Sequence, residues 1–345
     1  MKLLKIRPLE ELVLSKAPIV THDMFGVHDV SATPLPTTIA GLLGNLLGIT
    51  YNDDGIGGLE RLASKFKEMG CGKPVIIGPL IYFEKLCNEP YVQIGNVLVP
   101  SSRIRGVVDV YGREVFYVGI DTNSQIVKFV RGSRVGIKLK RGYKDEIMKV
   151  VSRGFIYKYF TSRYITLDEE KSLMPTIVYI INCKVNDMKG IARVGGESRV
   201  ALIEISDFGE DLGNLGKIVS ILQADKGYYV ALSPIPILPK PEALNTLLLT
   251  NDTAELGFVG EVIGIPPLIK DNVGIEKVKK GDLQPRKRIE RLNLGFSETL
   301  KKRRPQILSL PPGTIIRIES IEHENVGALL KLLWSIGFAS LLKLL

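Results

Sequence analysis

The chain has 345 residues, with 46 Lys and Arg against 37 Asp and Glu, giving a net charge of +9; 45% hydrophobic residues suffice to bury a core in each of two ordinary domains. That balance suits a polyanionic partner but also a merely soluble basic protein. Cys71, Cys87 and Cys183 stand far apart with no C-x-x-C pair, so neither a disulfide framework nor a thiolate zinc site is expected, and a reducing cytoplasm fits.

In chain order, Leu3 to Leu14 reads as a strand leading into a loop. The charges and Pro8 leave no apolar core for a signal peptide, so no export is implied. The loop carries His22-Asp23 and His28-Asp29, which fit either proton transfer or an ordinary polar loop. A divalent metal needs three or four converging ligands, and His323 is the remaining histidine. Next, Pro34-Leu35-Pro36 holds an extended lead-in, Thr37 or Thr38 can cap, and apolar residues from Ile39 to Leu47 recur at helical spacing. The first amides of such a helix lack internal partners, which makes its start an anion-site candidate.

A first strand, a polar loop, then Pro-x-Pro-x-Thr entering a small-residue helix resembles the opening of the RAMP-superfamily proteins of CRISPR effector complexes. Within them it looks most like the third subunit of the type III-B, or Cmr-type, complex. Gly78-Pro79 and Val99-Pro100, in a strand-like region from Val75 to Val99, are similar to the family's stretch at that place. Between them and the first helix, Asp53 to Gly58 is glycine-rich but meets neither nucleotide fingerprint, and Leu59 to Met69 reads as a second helix.

Residues 101–153 hold short β-like runs, and from Arg131 to Arg153 eight Lys or Arg face only Asp145 and Glu146. A basic hairpin or helix projecting from a sheet, with Lys140 and Arg141 in it, is a lever on RNA backbone; a solvated surface fits equally. From Ser152 to Tyr164 aromatics alternate with bases: strand periodicity assigns Phe155, Tyr157 and Tyr159 to one buried face, leaving Lys158 and Arg163 for RNA. After the strand Met174 to Ile181 comes Arg193-Val194-Gly195-Gly196-Glu197-Ser198-Arg199. Two glycines between arginines fit a phosphate-reading turn or a plain hairpin turn. In the family, Gly-Gly-Glu-x-Arg opens a strand at this place, and Gly195 to Arg199 is the most specific match. An acidic, glycine-rich patch from Asp207 to Gly213 reads as a boundary, followed by a linking helix from Leu215 to Ala224.

The second half opens on Tyr228 to Leu238, an alternating strand that breaks into prolines, and Phe258 to Pro266 reads as another. Between Lys277 and Arg304 stand eleven Lys or Arg and only Asp282, Glu290 and Glu298, the densest polyanion candidate. It includes Arg286, Lys287, Arg288, Lys301, Lys302, Arg303 and Arg304. Leu294-Gly295-Phe296, Arg303-Arg304-Pro305 and Pro311-Pro312-Gly313-Thr314 resemble the family's Gly-aromatic pair, basic-Pro pair and Pro-x-Gly-Ser turn, with Thr314 in place of Ser. A helix to Trp334, a turn at Gly337-Phe338 and a buried final strand close the chain, with Ala339 replacing one of the family's glycines. The apolar end is too interrupted to span a membrane comfortably.

Pattern and resemblance point to an α+β protein of two ferredoxin-like (RRM-like) domains with β-rich insertions, 1–210 with an insertion around 101–165, then 211–345. The resemblance implies a non-catalytic subunit that grips the repeat-derived 5′ tag of a CRISPR RNA. Its implied partners are the large cyclase-like subunit and a backbone RAMP subunit, without cofactor, metal, membrane or DNA-specific site. Gly195, Gly196 and Arg199 are RNA contacts by the motif; Thr37, Thr38, Lys140, Arg141, Lys158, Arg163, Arg193 and the basic run from Arg286 to Arg304 are added by charge and helix position. The rival expectation is a metal-independent CRISPR RNA-processing endoribonuclease using His22 or His28 as acid or base.

Overall fold

The computed structural model of the protein describes residues 1–14, 30–49, 55–108, 112–120, 125–141, 147–167, 171–196, 199–208, 215–239, 254–270, 284–297, 302–321 and 326–344. The N-terminal part runs β1 (Lys2–Pro8), α1 (Pro36–Leu46), α2 (Ile56–Glu68), β2 (Ile76–Tyr82), β3 (Tyr91–Ile94), β4 (Val97–Pro100), β5 (Ile104–Val108) and β6 (Glu114–Ile120). It continues with β7 (Val127–Arg141), β8 (Ile147–Thr166), β9 (Ser172–Leu173), β10 (Thr176–Ile181), β11 (Met188–Arg193) and β12 (Val200–Asp207). Then follow β13 (Ile218–Ser220), β14 (Gly227–Ala231), β15 (Ile235–Pro239), β16 (Ala254–Glu255), β17 (Phe258–Gly264), β18 (Leu268–Lys270) and β19 (Glu290–Asn293). The last elements are β20 (Phe296–Ser297), β21 (Lys302–Arg303), β22 (Gln306–Leu310), β23 (Ile315–Ile321), α3 (Ala328–Ser335) and β24 (Ser340–Lys343).

Two sheets organise these elements. A ten-stranded sheet is ordered β11-β12-β1-β10-β2-β3-β4-β7-β8-β9, and a five-stranded sheet β13-β24-β14-β23-β17. At the centre of the first, β12-β1-β10-β2 pair antiparallel throughout; in the second, β24-β14-β23-β17 repeat that arrangement. Strand alternation explains how one sheet serves two cores. Leu4 and Ile6 of β1 and Ile177, Tyr179 and Ile181 of β10 join the core that holds the helices. Their neighbours Leu3, Val178 and Ile180 join a second core on the other face, with Val230, Ile315 and Leu342. All six residues of β10 are buried, as a central strand covered on both faces requires.

Pro36 begins α1, where a fixed φ and a missing N–H cost nothing, and α1 buries Ile39, Ala40, Leu42 and Leu43. Gly44 brings it close to α2, since a Cβ there would stand 2.9 Å from a Leu62 methyl. Leu59, Leu62 and Phe66 give α2 one apolar face. The two sheets are bonded to each other where the Gly78 N–H of β2 donates to the Ser340 hydroxyl of β24 (3.0 Å), and just before β2 the Val75 N–H donates to the Ser335 carbonyl at the end of α3 (2.8 Å).

Two expectations are corrected. Cys71 and Cys183 form a disulfide, S–S 2.08 Å across 112 residues. Spacing along the chain concealed it: the Gly72 N–H donates to the Asn182 carbonyl (2.7 Å), which brings the end of α2 beside the end of β10. Gly72 leaves the room that Asn182's side chain fills. Residues 215–223 form two short 3-10 turns around β13 rather than a linking helix. β13 instead pairs with β24, so sheet pairing overrides the helical spacing of those apolar residues.

Candidate functional site

The glycine turn joins β11 to β12, and its glycines have a packing task. Gly195 has φ +80°, and a Cβ on it would stand 2.5 Å from the Val13 carbonyl oxygen, which accepts the Gly196 N–H at 2.8 Å. The turn thereby seats on the segment that follows β1. Arg199 is held from that same segment and from β8: it ion-pairs with Glu10, donates to the Tyr159 hydroxyl and lies over the Tyr159 ring at 5.4 Å. Arg193, in contrast, is exposed at the end of the edge strand β11. Of the two arginines that bracket the turn, one faces solvent and the other fixes the turn's position. Sequence reading missed Glu10 and Glu11; the available signal was an acidic pair in an otherwise basic protein.

Glu11 anchors the base of a long ribbon. It accepts from the Thr161 hydroxyl at 2.7 Å and pairs with Arg163 at 2.9 Å and Arg134 at 3.4 Å. The ribbon is β7 and β8, in one register from Val127↔Thr166 to Ile137↔Ile156 and then with register shifts out to Arg141↔Ile147. β4 pairs with β7 only at Val127 and Lys128, and β9 with β8 only at Tyr164 and Ile165. From Val130 outward the two strands therefore run without a lateral strand among the described residues. At roughly 3.3 Å per residue the extension reaches on the order of 40 Å. Arg131 lies over the Phe160 ring at 4.4 Å. The backbones of Lys140, Arg141 and Lys158 belong to this ribbon, while their side chains lie outside the described residues.

A third constellation gathers at the start of α1. The Tyr179 hydroxyl donates to the Pro34 carbonyl at 3.1 Å and the Tyr164 hydroxyl to that of Ala32, which fixes the extended lead-in. Burial holds both phenols neutral by raising their pKa well above the usual range. Thr37 is 5% exposed, and its hydroxyl has no hydrogen-bond partner among the described residues; Thr38 is half-buried. Opposite stands a hairpin from the C-terminal part, in which Phe296 pairs with Arg303 and Ser297 with Lys302. The Arg304 N–H extends it by donating to the Gly295 carbonyl at 2.9 Å. Gly295 has φ +107°; a Cβ on it would lie 3.1 Å from Arg304 Nη1 and 3.8 Å from Thr37 Oγ1.

The rest of the basic run is spread out. Arg286, Lys287 and Arg288 are exposed on a segment bridged to Ile265, and Arg288 pairs with Glu290 at 3.2 Å. Lys301 lies outside the described residues, as do His22 and His28. The side chains of Lys302 and Arg303 lie outside them too. Among the described residues no three His, Cys, Asp or Glu side chains converge to hold a metal, and no helix is long and apolar enough to cross a membrane.

Fold and surface define a class first: a mixed, sheet-dominated α+β protein carrying a long ribbon and a hairpin rich in basic residues. No protein-family model matches the chain. Against curated proteins it is 25% identical over 346 residues to the CRISPR system CMR subunit Cmr3 of Saccharolobus solfataricus, covering 93% of this chain and 88% of the relative. Among solved structures it shares its fold with a chain of the type III-B Cmr-beta complex bound to cognate target RNA and AMPPnP, at TM-score 0.58 and 18% identity, over 99% of this chain and 96% of the other. A second structure, Cmr-beta bound to cognate target RNA, gives TM-score 0.56 at the same identity and coverage. Sequence similarity and fold similarity therefore run along nearly the whole chain, which resembles Cmr-type CRISPR-associated subunits as its motifs implied.

Proposed function

We propose that the chain is an RNA-binding, non-catalytic subunit of a type III-B CRISPR interference complex in the cytoplasm. It grips the 5′ tag of the CRISPR RNA and bridges the large cyclase-like subunit to the backbone subunits. The observation that carries this reading is the near full-length similarity to Cmr3, in a chain whose fold matches Cmr-beta chains. The order β12-β1-β10-β2, repeated as β24-β14-β23-β17, supports the reading of two ferredoxin-like units and of a RAMP-superfamily origin.

Basic residues on a projecting ribbon suit an RNA backbone, because each neutralised phosphate releases counterions. Arg131, Arg134 and Arg163 line the ribbon's base, and Lys140 and Arg141 lie toward its far end. The glycine turn, held by Val13 and Glu10, presents Arg193 on the same side of β12 as the sheet edge.

The test is binding of purified protein to a labelled repeat 5′ tag and to a scrambled RNA across a salt series, with RNA length checked afterwards. A preference for the tag, a steep salt slope and intact RNA are expected. Cut RNA without metal would instead favour the endoribonuclease, and binding to the large subunit that ignores salt and nuclease would favour a scaffold without RNA contact.

A further inference from the structure

We infer that the outer edge of β11 is a docking site for an extended, acidic segment of a partner protein, which joins the ten-stranded sheet as a further strand. This goes beyond the RNA-binding reading above and stands without it. β11 ends its sheet, and among the described residues no strand pairs with its outer side. One bond tells which backbone groups that side offers: the Val194 N–H donates to the Arg199 carbonyl at 2.8 Å. Opposed residues of an antiparallel pair alternate between bonded and non-bonded, so Ala192 and Gly190 also bond to β12. Lys189, Ile191 and Arg193 therefore turn their N–H and C=O groups outward, as a ladder for an incoming strand.

The side chains of the same three residues share the sheet face turned away from the helices, because Ala192 packs on the helical core and neighbours in a strand alternate. Ile191 is 68% exposed there, beside half-buried Leu202. Charge along an edge guards it against unwanted pairing, but here a bare isoleucine stands between the two cations. The edge also has room. Every residue of β11 except Ala192 is exposed, and a Cβ on Gly190 would meet nothing within 4 Å.

Charge selects the occupant. Lys189 and Arg193 have no ion pair among the described residues, and Glu204, opposite Lys189, is engaged by Lys5 at 3.5 Å. The complement is a strand with an apolar residue opposite Ile191 and a carboxylate at the next same-face position on either side. A second copy of this chain is the wrong partner: antiparallel pairing of two β11 strands about Ile191 would set Lys189 of one against Arg193 of the other, and like charges directly opposed repel. An RNA base stacks on an aromatic ring, whereas Ile191 has aliphatic Leu202 beside it.

The probes are labelled synthetic peptides with the core Glu-Val-Leu-Val-Glu or Lys-Val-Leu-Val-Lys. Each is titrated by fluorescence anisotropy into the whole wild-type chain and into the double variant Lys189→Glu/Arg193→Glu. Wild type should bind the acidic peptide at least about tenfold tighter than the basic one, and the double variant should reverse that preference. Both substitutions lie at exposed positions, so the variant should melt within about 2 °C of wild type. In the added strand the N–H of the central Leu points at β11 and those of the two Val residues point away. N-methylation of the Leu should therefore cost wild type about tenfold in affinity, and N-methylation of one Val less than about twofold.

No binding of the acidic peptide by wild type, an unreversed preference in the double variant, or equal losses from the two methylations would overturn the docking edge. A wild-type dimer that the acidic peptide dissolves would assign the edge to a second copy, and loss of tag-RNA affinity in the double variant without any peptide binding would assign the face to RNA; either result overturns it. Tag-RNA binding is read separately, so its absence in wild type would sink the RNA reading while a reversed peptide preference still supports the edge.

Discussion

Breaking the Cys71–Cys183 bond is expected to lower stability more than any single surface change in this protein. The bond closes a loop of 112 residues. In the chain-entropy account, such a cross-link restricts the unfolded chain by about 5 kcal/mol at 25 °C. A protein of this length unfolds with an entropy of about 0.7 kcal/mol per kelvin, so the melting point should fall by about 7 °C.

Circular-dichroism melts with and without a thiol-free reductant measure this, alongside Cys71→Ser, Cys183→Ser and the double variant. All three variants should melt together, because either serine removes the same cross-link, and reductant should no longer affect them. Thiol titration of the denatured, unreduced wild type should count one reactive thiol, Cys87. Three thiols, or a melting point that reductant leaves within about 2 °C, would refute the reasoning.

Four further outcomes are expected. Gly257→Ala should destabilise by about 2 kcal/mol or more, measured by urea unfolding, because Gly257 has φ +75° and a Cβ would drive into the buried Trp334 ring. Glu11→Gln removes the charge that holds Arg134 and Arg163, so tag-RNA affinity should rise about twofold at low salt, read by filter binding, with stability changed by less than about 1 kcal/mol. Arg199→Ala should cost about 1–3 kcal/mol in unfolding, since Glu10 and Tyr159 lose their shared partner; an unchanged unfolding midpoint would dismiss its role as the turn's anchor.

Burial lifts the phenol of Tyr82 to about 12 and those of Tyr164 and Tyr179 beyond the usual range. Their folded pKa values are raised, so the native state keeps protons that the unfolded chain has released above pH 10. Stability is accordingly full below pH 10 and falls by about 1.4 kcal/mol per pH unit for each tyrosine above it. Absorbance at alkaline pH should show these phenols ionising together with loss of structure.

Much of the local architecture was legible because it follows from short-range pattern. The apolar run of β10, the helical spacing after Pro36 and the final buried strand are all set by neighbours within a few residues. Motif resemblance carried the same reach, since Gly195 to Arg199 can be recognised as a string. What those residues touch could not be read that way. Arg199 was assigned to RNA by the family motif, and the structure shows Glu10 and Tyr159 around it.

Composition and motif alone determined that the chain would be basic, sheet-rich and similar to Cmr-type proteins, because charge, alternation and family strings are properties of the linear order. Tertiary structure alone decided that Cys71 meets Cys183, that residues 215–223 lend a strand to the second sheet, and that Thr37 faces Gly295 and Arg304. Each of these joins residues remote along the chain. Such pairs are set by how two sheets pack through shared cores, and no local spacing encodes that geometry.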